Sequence, residues 1–113
     1  MKLLVKTLRK FTADRDWDQF HSPKNLVMAL SVEVAEIAEH FQWMDCDESR
    51  SLPAAKREAV REEIGDALIY LVVLADKLGI DPLDAARRKL RVNAKKYPAR
   101  KVRGKSAKYT EYE

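Results

Sequence analysis

Two short carboxylate pairs, Glu33-x-x-Glu36 and Glu63-x-x-Asp66, each sit inside an apolar run of helical periodicity, and that combination constrains the fold more than any other feature of the chain. Residues three apart on an α-helix lie about 60° apart in rotation and one turn along the axis, so each pair presents both carboxylates to one side. Leu30, Val32, Val34, Ala35, Ile37, Ala38 and Phe41 surround the first pair, and Ile64, Ala67, Leu68, Ile69, Leu71 and Val72 follow the second. Glu-x-x-Glu on a solvated helix face is common and alone means little. These segments, however, have little polar surface to spare. Four acids converging between two packed helices would repel one another and carry a large desolvation cost unless a cation sat among them. Magnesium suits such a site, because it is a hard ion that takes oxygen ligands, keeps several waters and is often completed by substrate phosphates. Glu33, Glu36, Glu63 and Asp66 are therefore the candidate Mg2+ ligands. Glu39 and Glu62 read as solvated, although Glu62, four before Asp66, can also reach the site.

The helices themselves follow from periodicity and punctuation. Leu4, Leu8 and Phe11 give a first helix ending near Asp14 to Trp17. Ser22 before Pro23 is a start signal, an N-cap followed by proline at the first helical position, and the second helix runs from about Lys24 to Met44. A polar linker from Asp45 to Ser51 precedes Pro53, which opens a third helix lasting to Leu78 and stopped by Gly79. Asp81 with Pro82 caps a fourth helix, which Pro98 prevents from continuing. No strand pattern competes, and with 46% hydrophobic residues, 35% charged residues and only 3 glycines the chain reads as helical and globular rather than disordered. The expected class is all-α, a four-helix bundle. Short connections make helices two and three antiparallel neighbours, which brings the carboxylate pairs together. Ile64 to Leu78 is apolar nearly all round, more than one four-helix protomer can cover, so a homo-oligomer, dimer or tetramer, is expected.

Several function classes drop out. No apolar stretch approaches a membrane span, and the first residues are too soon charged for a signal peptide, so a cytoplasmic location is expected. Cys46 has no second cysteine to pair with, and His21 and His40 are too few for the familiar zinc arrangements. The net charge of +4 hides a division: residues 1–86 carry 11 basic and 16 acidic side chains, residues 87–108 carry 11 basic and none acidic. Such a block can bind nucleic acid, but it can equally deliver cations to the phosphates of a small nucleotide held over the acids. A solvated tail is the plainer reading beyond Gly104.

Trp17, His21, Trp43 and Tyr70 are candidates for contacting an organic ring. Tyr70 lies four after Asp66 and Trp43 seven after Glu36, each on the helix face of its acid. Aromatic residues at helical spacing are more often core, yet their shared alignment with the acids suits a base stacked beside metal-bound phosphates. His21 precedes helix two as a possible ligand. Lys24 at the start of that helix, and Lys89, Asn93 and Lys96 on one face of the fourth, are placed to reach phosphate or base edges.

Five segments in order, Phe11-Thr-Ala-Asp-Arg-Asp-Trp-Asp-Gln-Phe-His21, Pro23-Lys-Asn-Leu26, Glu33-Val-Ala-Glu36 with Phe41-Gln-Trp43, Glu63-Ile-Gly-Asp66-Ala-Leu-Ile-Tyr70 and Asn93-Ala-Lys-Lys-Tyr-Pro98, resemble the MazG-type all-α nucleoside triphosphate pyrophosphohydrolases. Within that superfamily the likeness is nearest to the dCTP pyrophosphatases, and it extends over about Leu4 to Tyr109. The resemblance implies a MazG-like domain at 1–104 with a basic, polar tail at 105–113. It implies hydrolysis of a nucleoside triphosphate to monophosphate and diphosphate, with Mg2+ on Glu33, Glu36, Glu63 and Asp66, and Glu33 or Glu36 orienting or deprotonating the attacking water. It also implies an oligomer whose sites are lined by more than one subunit, with Trp17, Trp43 and Tyr70 shaping the base and sugar pocket and Lys89, Asn93 and Lys96 on the nucleotide. One departure stands out: dCTP-preferring members carry histidine three positions before the motif phenylalanine, where this chain has Leu8. The same fold acting on dUTP or phosphoribosyl-ATP is the alternative enzyme. A helical oligomer binding nucleic acid through residues 87–108 is the non-enzyme alternative, and it leaves the buried acids unexplained.

Overall fold

Four long helices carry the chain: α1 (Lys2–Asp14), α2 (Pro23–Phe41), α4 (Ala54–Lys77) and α5 (Pro82–Lys96), with short helices α3 (Cys46–Ser49) and α6 (Ala99–Val102) and a 3-10 turn at Asp18–Phe20. The computed structural model describes residues 1–106, and no strand occurs among them. The all-α class expected from periodicity is the one observed. Met1–Ile80 form one compact unit and a second begins at Asp81. Of the expected tail, 107–113 lie outside the described residues. Among the described helices none is long and apolar enough to cross a membrane.

Most boundaries have local causes. The Ser22 side chain accepts the Asn25 N–H at 3.2 Å and Pro23 occupies the first turn of α2. Asp81 accepts from the Leu83 and Asp84 N–H groups at 2.9 and 3.2 Å ahead of α5. At the end of α4, Gly79 takes φ 67°, a conformation glycine adopts without the side-chain clash of other residues. Its N–H then reaches Asp76 O at 3.1 Å while the Ile80 N–H reaches Ala75 O at 2.8 Å. Two details differ from the expectation. α2 stops at Phe41 rather than Met44, turning through the Met44 N–H to Phe41 O bond of 2.9 Å. The linker from Asp45 holds a helical turn of its own, because Asp45 caps the Glu48 N–H at 2.8 Å and Asp47 and Glu48 lie at its positive end.

In the first unit α2 runs antiparallel to α4, and α1 packs against α4. Leu8, Leu26, Val72 and Val73 form the buried cluster, flanked by Leu4, Val5, Tyr70 and Leu74, so the core sits where α1, the start of α2 and the end of α4 meet. Arg9 on α1 grips Asp76 on α4 through two guanidinium hydrogen bonds, one of them 2.8 Å, and Lys77 donates to Asp18 at 2.8 Å. Away from that core the helices are less covered: Ile64, Leu68 and Leu71, one face of α4, are exposed, as are Val27, Val32 and Val34 on α2.

Candidate functional site

The α2–α4 seam carries the acids about two to three turns beyond the core. Glu33 and Glu36 from α2 and Glu63 from α4 each bring one carboxylate oxygen to within 4.8 Å of the others. All three side chains are half-buried, and the Oε2 atoms of Glu33 and Glu63 are shut off from solvent with no hydrogen-bond partner. A charged oxygen in that condition is rare in a folded protein. The acids respond by holding protons more tightly. Hydrogen bonding to Glu36, then loss of solvent, then the like charges of Glu36, Glu33 and Asp66 push Glu63 up to about 7. Loss of solvent, then the hydrogen bond and charge of Glu36, then the charge of Asp66 raise Glu33. The cluster thus takes up either protons or a cation, and an all-oxygen donor set is the kind a hard divalent ion prefers.

Asp66, the fourth expected ligand, stands outside this triplet and is exposed. It lies on the rim of a neighbouring cavity of about 210 Å³ walled by Leu8, Phe11, Trp17, Ile69, Tyr70 and Val73, with Thr12 and His21 completing it. Its charge still reaches Glu33 and Glu63, so Asp66 links the acid cluster to the aromatic cavity. Trp17 is fixed there edge-on to Phe11, centroids 5.7 Å apart at 74°, with the Arg15 guanidinium 3.7 Å above the Phe11 ring. His21 Nδ1 is closed off from solvent without a partner. Ligand pockets for whole small molecules run from roughly 300 Å³ upward, so this cavity is the size for one ring of a ligand, with the remainder outside. A larger cavity of about 480 Å³ lies on the other side of Leu8 and Thr12, but its charged walls, Arg9 with Asp76 and Lys77 with Asp18, already satisfy one another.

Within the first unit, Trp43 and Lys24 are in neither the acid triplet nor the cavity wall. Trp43, just past the end of α2, is 89% exposed and is not in the cavity wall. Lys24 is exposed at the start of α2, and Lys89, Asn93 and Lys96 are on α5 in the second unit. One neighbour of the acids escaped the sequence reading: His40 Nε2 lies 4.0 Å from Glu63 Oε1. Its signal was present, since His40 follows Glu36 by four and Glu33 by seven and so shares their helix face.

An all-helical fold that sets a carboxylate cluster on a two-helix seam beside an aromatic cavity defines a recognisable class. The chain belongs to the MazG-like family, which it matches over residues 28–112. It is 44% identical over 104 residues to mouse dCTP pyrophosphatase 1 and 45% identical over 104 residues to the human protein of that name, 90% of this chain in each case. The chain spans 61% of the length of those curated relatives. The crystal structure of a pyrophosphatase from Archaeoglobus fulgidus superposes with a TM-score of 0.82 at 43% identity, covering 87% of this chain and 92% of that one.

Proposed function

We propose that this protein is a Mg2+-dependent nucleoside triphosphate pyrophosphohydrolase that converts a (d)NTP and water to the monophosphate and diphosphate. The observation that carries the reading is the Glu33, Glu36 and Glu63 cluster, with two buried and unpartnered carboxylate oxygens, adjoining an aromatic cavity through Asp66. Glu33, Glu36, Glu63 and Asp66 would hold the metal. Bound there, it would neutralise phosphate charge and make water a stronger nucleophile. The chain's own residues do the rest. The cavity between Trp17 and Tyr70 takes one ring of the nucleoside and holds it by stacking and by exclusion of water. His21 offers a polar contact in that wall. Glu33 or Glu36 orients the attacking water and takes its proton as the anhydride P–O bond breaks, and diphosphate departs. Lys89, Asn93 and Lys96 are assigned to the nucleotide on the family resemblance, and Lys24 to the phosphates from its place at the start of α2.

Likeness to the dCTP pyrophosphatases supports dCTP, or a related or modified deoxynucleotide, as the substrate, in cytoplasmic housekeeping of the nucleotide pool. Leu8 puts an apolar side chain in the cavity wall where dCTP-preferring members carry histidine. The exposed apolar face of α4, together with Val27, Val32 and Val34 on α2, supports a homo-oligomer, dimer or tetramer. Diphosphate release from a panel of dCTP, dUTP, dTTP and dATP, with and without Mg2+, tests the reading. Release that requires Mg2+ is expected. No turnover of any nucleotide triphosphate at saturating Mg2+ would remove it.

A further inference from the structure

His40 and Lys56 face each other across the α2–α4 seam, next to the acid cluster. Lys56 Nζ lies 3.3 Å from His40 Nδ1. His40 is 21% exposed at the side chain and Glu63 24%, and Lys56 is half-buried as well, so the three groups meet away from bulk water. An ammonium has hydrogens to give and no lone pair to accept with, so in this contact Nδ1 is the acceptor. A neutral imidazole has one N–H, and with Nδ1 accepting it must sit on Nε2. Nε2 is the nitrogen turned toward Glu63 Oε1 at 4.0 Å. That separation is longer than a hydrogen bond, and the attraction between an N–H dipole and a carboxylate still acts across it.

We infer that His40 is a positioning residue for Glu63: Lys56 fixes its tautomer, its Nε2–H draws Oε1 aside, and Oε2 is thereby left to a divalent cation. The assignment rests on the metal-site reading above and adds to it a group that touches neither metal nor substrate. Its logic is that of outer-shell partners generally, which hold a ligand's orientation and whose loss weakens metal binding by about 10–100-fold.

The test uses Mn2+ alone, titrated against the metal-free full chain by electron paramagnetic resonance, with no nucleotide present. His40→Leu should weaken Mn2+ binding by about ten-fold or more, and His40→Gln, whose amide nitrogen stands near the Nε2 position and can donate to Oε1, should restore most of it. Lys56→Met should weaken binding less, and should add nothing in the His40→Leu background, because it acts through the ring. Nitrogen-edited NMR of the imidazole in mildly alkaline buffer should find the proton on Nε2, with that preference relaxed in Lys56→Met. Unchanged Mn2+ affinity in His40→Leu, additive losses in the double variant, or a ring proton on Nδ1 would each overturn the inference. Should His40→Leu fail to fold, the Lys56→Met affinity and the tautomer measurement decide it. Glu63→Gln separates the two levels: if it too binds Mn2+ like the parent, the metal-site reading fails. If it loses binding while His40→Leu does not, only the role of His40 fails.

Discussion

Leu26 of α2 and Val72 of α4 are each 1% exposed and belong to one buried cluster, which makes their contact region the fixed point of the antiparallel seam. From there α2 runs forward as α4 runs back, so Glu33 and Glu36 arrive opposite Glu63, and His40 arrives opposite Lys56. The geometry of the acids is therefore set at a distance by apolar packing. Leu26→Ala should lower stability by about 2–5 kcal/mol, the usual range for emptying a leucine site, as read by denaturant unfolding. It should also weaken divalent-metal binding in the protein that remains folded. A stability loss with unaltered metal affinity would mean that the register is held elsewhere.

Glu36→Gln and Asp66→Asn should each abolish nucleotide hydrolysis while leaving the helical fold intact. Each substitution keeps the shape and removes a charge, one from the triplet and one from the cavity rim. Circular dichroism checks the fold and diphosphate release checks turnover. Near-parental activity of both at saturating Mg2+ would remove them from the site.

The all-α class, the caps at Ser22 and Asp81 and the stop at Gly79 were legible because each depends on neighbours in sequence. The convergence of Glu33, Glu36 and Glu63 was legible too, once two apolar helices were read as facing each other. What the sequence did not reveal depends on the rotation and closeness of packed helices. Asp66 follows Glu63 by three, and the turn between them sets it on the rim of the aromatic cavity, from which its charge still reaches Glu63 and Glu33. Periodicity sets Trp43 on the face of Glu36, and what sequence could not show is that the ring, just past the end of α2, is 89% exposed and outside the cavity wall. His40 shares the helix face of Glu33 and Glu36, but its contact with Lys56, sixteen residues later and on another helix, is not visible in the sequence.

Without metal, stability should depend on pH in a sense opposite to an ordinary ion-paired carboxylate. Glu63 is raised from 4.5 to about 7, so folding strengthens its hold on a proton. Its contribution is complete below the unfolded value near 4.5 and is lost as pH rises through about 7. Glu33, shifted in the same direction, adds to the slope, whereas Asp18, Asp45 and Asp76, all lowered, favour the folded state above the carboxylate range and lose that contribution in acid. Thermal melts between pH 5 and pH 8 in chelator isolate the effect as the parent minus Glu63→Gln, a difference that should grow less favourable to the parent with pH. Saturating Mg2+ should reverse the trend. A flat difference would show that Glu63 is not strained in the metal-free protein.

Chain association should be detectable at micromolar concentration, because Ile64 at 53% exposure heads a continuous apolar face on α4. Sedimentation should find a dimer or larger. Ile64→Glu together with Leu68→Glu should shift the population toward monomer, and a parent that sediments as a stable monomer would mean that this face is simply tolerated.

Trp17 and Trp43 should separate cleanly. Trp17 is part of the cavity wall and packed against Phe11, so Trp17→Ala should weaken nucleotide binding by about one base-stacking interaction, ~1–3 kcal/mol, and blur discrimination among dCTP, dUTP, dTTP and dATP. Trp43 is 89% exposed in the single chain, so Trp43→Ala should leave the intrinsic stability of the protomer within about 0.5 kcal/mol, as surface substitutions generally do. Its effect should instead appear in nucleotide affinity, if the ring closes over the base, or in the association constant, if it packs on another subunit. Specificity constants, melting temperature and sedimentation measured on both variants distinguish these outcomes. Loss of base discrimination in Trp43→Ala with none in Trp17→Ala would move the base out of the cavity between Trp17 and Tyr70 and toward the exposed end of α2.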